Sequence, residues 1–538
     1  MKQPSIYIYR AINFDGNIYV KLVDIEEHKN CKLILQKEGK DLAIVEGLTA
    51  VFKDQLYGQY QAIALLTNKE NKSVTVISNK IIIVPNTKKE NNPGYENNQT
   101  EKQTREIRMR CDGINDYYLE LKLKNEKDID RLKTESPRLI NLISNSTDKE
   151  IFSKIPANYL LGDIVPNTYK IFSECGYDEL VNIADEIELL DYVIYCSVVP
   201  DTTNMNPPEL PIDDSINFSD EKKHIDCTTN DVQTPDFQHL QTYLQPNDKG
   251  VKGMNVLSVW KMEENGSATT VRHLDFGVYR NHEDFKKNIT VVNSRAETRD
   301  CNHGTASTGC IAASKNGFGV TGIAYGSKFY FYDTGDLDLI IRDAVPGDIV
   351  SLDLEFVYKG KHLPVINSKP WWNKISSLTK KGVVVILAAG NGGLDLSIES
   401  GNMNQFGDSG SFLVGACNHN NGIKCRFSNH NHETSLINSW GNGHVVTTGY
   451  SSLQKKPGNN RNYSKDFSGT SSATPLCAGA LALIQSYAIN NFGVYLNAYE
   501  MRRLIMHTGY SEGADHNIGH RPNVEAAINA LKTQFILD

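Results

Sequence analysis

The chain has 538 residues, with 56 Lys and Arg against 64 Asp and Glu, and a net charge of −8. Basic residues are dispersed among acidic ones, so the basic patch or stripe of a nucleic-acid binder is absent. No run reaches the roughly 18 consecutive apolar residues that span a bilayer, and Met1-Lys2-Gln3-Pro4-Ser5-Ile6-Tyr7 has neither an apolar core nor a small-residue cleavage site, so no membrane span and no secretory leader are expected.

Residues 1–85 carry short alternating runs, such as Ser5-Ile6-Tyr7-Ile8-Tyr9 and Val74-Thr75-Val76-Ile77, separated by Gly, Asn and Asp turns, the pattern of a small all-β domain. Residues 86–104 are dense in Asn, Lys and Glu and predict a solvated polar linker. Over 105–200, Tyr117–Leu123 alternates as a strand, Glu126–Ile143 and Tyr177–Leu190 have helical spacing, and Tyr192–Val199 predicts a last strand. That order fits a ferredoxin-like α+β unit, and equally a generic α+β adaptor. Residues 201–232, with Pro207-Pro208 and Pro211, predict an exposed connector, a possible processing region because flexible loops are the segments a protease can thread. A helix around Val256–Trp260 opens the last unit, 233–538.

That unit holds four segments with chemical content. Val271-Arg272-His273-Leu274-Asp275 predicts a strand ending in a carboxylate, followed by a Gly turn. Asn302-His303-Gly304-Thr305 sets a histidine at the start of a small-residue helix, and Gly382–Ala389 predicts a buried strand that delivers Asn391. Phe467-Ser468-Gly469-Thr470-Ser471 places a serine at the mouth of an apolar helix, where free N–H groups and the positive dipole end favour an oxyanion; Pro475 is expected in its first turn. Taken singly, Ser471 is an ordinary helix cap and His303 a satisfied structural histidine. Together they supply nucleophile, base, orienting carboxylate and oxyanion donor. His273 and His282 flank Asp275 as rival bases, but neither has a His-Gly-Thr context. The ten cysteines form no Cys-x-x-Cys pair, so no zinc site is expected; Cys417/Cys425 and Cys301/Cys310 are each read as free thiols or a close pair.

The order Asp, His, Asn, Ser resembles the subtilisin-like serine proteases over residues 230–538, with Val414-Gly415-Ala416-Cys417 and Arg426-Phe427-Ser428-Asn429 similar to the family's hairpin and Met501-Arg502-Arg503-Leu504 and Pro522-Asn523-Val524 to its closing helices. The resemblance implies an α/β fold, a mostly parallel sheet with helices on both faces. It implies a serine endopeptidase with Ser471 as nucleophile, His303 as base, Asp275 as orienting carboxylate, and Asn391 with the Ser471 N–H as oxyanion donors. The α+β unit is similar to the inhibitory propeptide of many subtilases, whose trailing segment would lie in the cleft, and the N-terminal domains would inhibit the site or recruit targets. Two departures stand out. Phe276 replaces a small hydroxyl residue, and Ser351-Leu352-Asp353-Leu354-Glu355-Phe356 replaces a Ser-Leu-Gly-Gly run beside the specificity pocket. Asp353, Leu354, Glu355 and Gly390 are therefore the substrate-binding candidates, and a cleft-facing Asp353 or Glu355 would favour basic side chains. Many subtilases bind calcium, and Asp236, Asp284 or Asp333 could contribute oxygens, but no contiguous ligand set stands out; no metal is assigned and no cofactor is required. The family habit is export, whereas the N-terminus points to the cell interior or a non-classical route. A subtilase-like binding module that no longer cleaves and a hydrolase of non-protein esters or amides are the alternatives.

Overall fold

The computed structural model describes residues 5–10, 18–23, 28–53, 58–68, 73–83, 106–135, 152–154, 167–211, 233–248, 250–285, 289–399, 401–432, 435–493 and 495–536. Seven strands come first: β1 (Ser5–Arg10), β2 (Ile18–Val23), β3 (His28–Lys37), β4 (Lys40–Glu46), β5 (Thr49–Phe52), β6 (Gly58–Asn68) and β7 (Ser73–Ile83). They form two antiparallel sheets, β1-β2-β5 and β4-β3-β6-β7, around a shared apolar cluster that includes Ile18, Val20, Leu33, Leu35, Ala62 and Leu66. The predicted linker over 86–104 lies outside the described residues.

A four-stranded antiparallel sheet follows, in the order β11-β8-β10-β9, from β8 (Tyr117–Leu123), β9 (Phe152–Lys154), β10 (Thr168–Ile171) and β11 (Val193–Pro200). It carries helices α1 (Asp128–Glu135) and α2 (Tyr177–Ile187), the latter burying Leu180, Ile183, Ala184 and Ile187. The helix expected to run on to Ile143 is described only to Glu135.

A short hairpin of β12 (Asn247–Asp248) and β13 (Val251–Lys252), then α3 (Val256–Trp260), lead into a seven-stranded sheet that is parallel throughout. Its strands are β14 (Thr270–Asp275), β15 (Ile289–Val291), β16 (Lys328–Asp333), β17 (Ile349–Leu352), β20 (Val384–Ala388), β21 (Phe412–Cys417) and β22 (Leu436–Trp440), in the order β15-β16-β14-β17-β20-β21-β22. Near-continuous aliphatics in β17 and β20, and apolar or small residues throughout β21, are what strands covered on both faces require. One face is covered by α4 (Asn302–Ala312) and the long apolar α7 (Thr470–Phe492), the other by α5 (Leu337–Asp343) and α6 (Lys369–Lys380). By length and hydropathy α7 could cross a membrane; here it is the core helix, with 89% of its most apolar stretch buried. Two small antiparallel pairs, β18 (Glu355–Tyr358) with β19 (Lys361–Pro364) and β23 (Val445–Thr448) with β24 (Tyr463–Phe467), and the helices α8 (Ala498–Thr508) and α9 (Val524–Ile536), complete the fold. β21 is an interior strand pairing β20 and β22 in parallel, and at its end the chain turns back on itself from Cys417 to Cys425 through an antiparallel Cys417–Lys424 bridge, a short hairpin turn at the expected place.

β14 is central, so its polar residues do not mark an edge. Arg272 is neutralised by Asp348 at 2.7 Å and bonds the Tyr332 hydroxyl at 2.9 Å, while His273 turns to Asp275. The sheet of β8–β11 docks on α5 and α6 through a buried ion network: Lys374 meets Glu120 at 2.6 Å and Asp338 at 3.0 Å, and Asp338 also meets Lys170 at 2.5 Å. Removing Glu120 leaves two cations, Lys374 and Lys170, sharing the single carboxylate of Asp338 in a dry interface, so Glu120→Ala is expected to destabilise the chain by about 3–5 kcal/mol. Denaturant unfolding checks this, and a loss below about 1 kcal/mol, the scale of an exposed pair, would contradict it.

Candidate active site

Parallel strands leave their carboxyl ends on one rim, and there β14 delivers Asp275 and the loop after β20 delivers Asn391. Asp275 is followed by Gly277 at φ +74°, whose carbonyl presses against α4: a Cβ on Gly304 would lie 2.0 Å from Gly277 O. Glycine at 304 thus brings the first turn of α4 against the strand end. His303 Nδ1 then donates to Asp275 Oδ1 at 2.6 Å, both side chains being fully buried. Phe276 packs edge-on against the His303 ring at 5.2 Å and Phe467 at 5.7 Å, so the aromatic that replaces a small hydroxyl walls the imidazole. His303 Nε2 is buried and has no hydrogen-bond partner among the described residues. Burial alone would raise Asp275, but the His303 charge and hydrogen bonds from His273 and His303 outweigh it and hold the carboxyl well below the usual range.

Ser471 is the second residue of α7, and the N-cap is Gly469 at φ +88° with no side-chain cap. Ser471 is therefore not the cap, and its hydroxyl bonds no described residue. In the first turn the Thr470 N–H goes to Asn391 Oδ1 at 2.9 Å and the Ser472 and Ala473 N–H groups to Gly469 O, which leaves the Ser471 N–H free. Pro475 stands inside the helix, one turn later than expected, where its missing N–H would otherwise have bonded the Ser471 carbonyl. Ser468 Oγ donates to Pro211 O at 2.8 Å. Residues 201–211 are accordingly docked, with Thr202 and Thr334 exchanging hydrogen bonds at 2.5 and 2.6 Å and Arg295 holding Met205 O at 2.7 Å. Of the expected connector, residues 201–211 are tethered by these bonds while Thr203, Asn204, Asn206 and Glu209 stay exposed; residues 212–232 lie outside the described ones.

Asn391 accepts through Oδ1 from the Thr470 N–H and, at 3.1 Å, from its hydroxyl, which fixes the amide orientation. Its Nδ2 reaches Glu355 Oε1 at 3.4 Å, and its backbone N–H donates to Glu355 Oε2 at 2.7 Å. Glu355, almost fully buried, also accepts from His362 at 2.7 Å. Asp353 is fully buried and accepts from Ser307 at 3.0 Å, so it sits behind Asp275 and off the cleft wall. Leu354 joins the apolar cluster with Phe356, and a Cβ on Gly390, at φ +102°, would collide with Asn429 Nδ2 at 2.6 Å. A run of glycines is replaced by side chains that all turn inward, and the β18–β19 pair is met by the Asp112 N–H on Val357 O. Cys301, Cys310 and Cys417 are free thiols.

Two contacts escaped the sequence reading. His273 counted only as a rival base, yet its spacing of two from Asp275 on a strand puts both on one face. Glu355 bonding the Asn391 backbone has no local signal, since 36 residues separate them.

The model of the Subtilase family matches residues 266–521. The chain is 30% identical over 282 residues to the intracellular serine protease of Paenibacillus polymyxa, covering 48% of this chain and 78% of that protein. It is 28% identical over 275 residues to the calcium-dependent protease of Trichormus variabilis, covering 43% of this chain and only 40% of that protein's length. The crystal structure of the serine protease of Aeromonas sobria superposes at a TM-score of 0.44 with 18% identity, over 60% of this chain and 71% of that one. The chain belongs to the subtilase family.

Proposed function

We propose that the chain hydrolyses peptide bonds as a serine endopeptidase through an acyl-enzyme. Ser471 Oγ attacks the carbonyl, His303 Nε2 takes its proton and later returns it to the leaving amine, and Asp275 holds the tautomer that keeps Nε2 open and stabilises the imidazolium. The Ser471 N–H and Asn391 Nδ2 receive the oxyanion. One observation carries this reading: His303 is held by Asp275 at Nδ1 with Nε2 unpartnered, while the free N–H in the first turn of α7 is that of the candidate nucleophile. Turnover of a protein substrate that a fluorophosphonate blocks is the test. A Glu355 carboxylate beside Asn391 Nδ2 opposes an oxyanion there and favours the second reading, a fold that binds polypeptide without cutting it; failure of the purified, processed chain to label would support that reading.

The strands of 1–85 are read as a separate all-β domain that recruits targets, and 105–200 as an inhibitory prosegment of ferredoxin-like form, with 201–211 as its tail in the cleft. The Ser468–Pro211 bond, one turn from the nucleophile, supports the latter. Autocatalytic cutting within 212–232 is expected to reduce the 60.1 kDa chain to a stable C-terminal fragment. Intact-mass spectrometry over time checks this: Ser471→Ala should stay whole, and a fully active uncut chain would reject it. No cofactor enters the chemistry. Of the three carboxylates considered for calcium, Asp333 is taken by Arg295 at 2.6 Å and Asp236 bonds the Gln238 N–H as a turn. Asp284 is fully buried with only neutral donors, Asn316 Nδ2 and the Val320 N–H at 2.9 Å each, and burial pushes it up to about 7. Both of its oxygens are taken by N–H donors, so none of these three carboxylates offers the set of open oxygens that a calcium ion needs.

A further inference from the structure

Behind the His303 contact lies a second set of buried groups that the proposed chemistry leaves unused. Asp275 has an imidazole on each oxygen: His303 Nδ1 on Oδ1 at 2.6 Å, and His273 Nε2 on Oδ2 at 3.1 Å. A carboxylate only accepts, so both contacts are N–H donations. The His273 ring is fully buried between Phe329 and Phe331, with centroids 5.9 and 6.0 Å away, which fixes its plane. Asp353 approaches from the next strand end, its N–H on Leu274 O at 3.1 Å, and one ligating atom each of His273, Asp275 and Asp353 lie within 4.8 Å of one another. Asp353 Oδ2 is held by Ser307, which also bonds the His303 carbonyl at 3.1 Å, so the second carboxylate is tied to the helix that carries the base. Asp353 Oδ1 and His273 Nδ1 are buried without partners.

We infer that His273 and Asp353 are positioning residues for the Asp275–His303 pair: His273 clamps the second oxygen of Asp275, and Asp353 supplies, through Ser307 and its own buried charge balance, the setting in which that clamp holds. This rests on the proposed peptidase reading. Two carboxylates this close and this dry cannot both stay ionised without a compensating proton, and the burial of Asp353, then the neighbouring Asp275 charge, push its carboxyl well up. A proton held on Asp353 leaves the two carboxylates the single negative charge of Asp275, the charge His303 needs opposite it when it becomes imidazolium. Cys310 from α4, Tyr450 from the loop before β24 and Glu355 from β18 are the other ionisable groups facing the cluster. A clamped Asp275 cannot rotate away from His303, so its geometry is set before substrate arrives.

The test uses the full chain after processing. His273→Phe keeps the packing and removes the donor; kcat should fall roughly 10- to 100-fold with KM little changed, the scale of a misaligned catalytic group, and the acid limb of the kcat/KM profile should move. His273→Gln, which restores an N–H near the Nε2 position, should recover most of the loss, and Asp353→Asn should recover most of that caused by Asp353→Ala. Proton NMR of Ser471→Ala protein gives a readout that needs no activity: two exchange-protected imidazole N–H resonances are expected, with His273→Phe deleting one and shifting the other. Unchanged kcat, acid limb and His303 resonance in His273→Phe would overturn the inference even if the protein were less stable. A stoichiometric metal that Asp353→Asn releases from the purified chain would overturn it as well, by assigning the cluster to an ion. If the unmutated chain neither labels nor turns over while the two resonances behave as expected, the peptidase reading fails and the clamp stands.

Discussion

Ser471→Ala should remove turnover by on the order of a millionfold while leaving the fold and the docked 201–211 segment in place. The size follows from the division of labour. Without the hydroxyl there is no acyl-enzyme, and His303 has no proton to accept, so its bond to Asp275 becomes idle. What survives is the background that free N–H groups and substrate binding give to attack by water. The substitution is mild for stability: Ser471 bonds no described residue through its hydroxyl, Gly469 serves as the N-cap, and Ser472, bonded to Trp440 O at 2.8 Å, anchors the turn. Steady-state turnover with an unchanged melting temperature checks this. A loss of less than about a hundredfold would mean that another nucleophile carries the chemistry.

Asn391→Leu should lower kcat by about 100- to 1,000-fold and change KM little, because the amide serves the oxyanion more than the ground-state carbonyl. Here the residue has a second duty. Its Oδ1 takes the Thr470 N–H and hydroxyl, so its loss also frees the residue before the nucleophile. Glu355, still bonded to His362 and to the backbone N–H of residue 391, would then face a vacated side-chain donor position. The expected signature is therefore a kcat defect larger than the loss of one donor alone, partly relieved by pairing Asn391→Leu with Glu355→Gln. Kinetics of the single and double variants measure it, and an equal fall in both forms would show that Glu355 does not bear on the oxyanion.

The legible part of this chain was what local pattern controls. The aliphatic run of β20, the Gly277 turn and the small-residue face of α4 announce a doubly covered parallel sheet with functional groups at its carboxyl rim, because such strands and close helix approaches admit few other residues. Asp275, His303, Asn391 and Ser471 stand out as candidates through their motif contexts. What escaped depends on contacts between segments remote in sequence. Arg272 is held in a buried strand by Asp348, 76 residues on, whose counter-charge no local pattern announces. Asp353 and Glu355 looked like cleft acids; one turns to Ser307 and the other to the Asn391 N–H, since a buried carboxylate takes the nearest donors whichever strand offers them. Residues 201–211 carry prolines and polar groups that predict an exposed connector, and the hydroxyl and carbonyl of Thr334, the Arg295 guanidinium and the Ser468 hydroxyl tether it.

Mapping the fluorophosphonate adduct on the processed chain by peptide mass spectrometry asks most directly whether Asp275, His303 and Ser471 act as one unit. The account predicts one adduct per chain, on Ser471, formed slowly or not at all in His303→Ala and Asp275→Ala. An adduct on another residue, or labelling of Ser471 at an undiminished rate in His303→Ala, would contradict it.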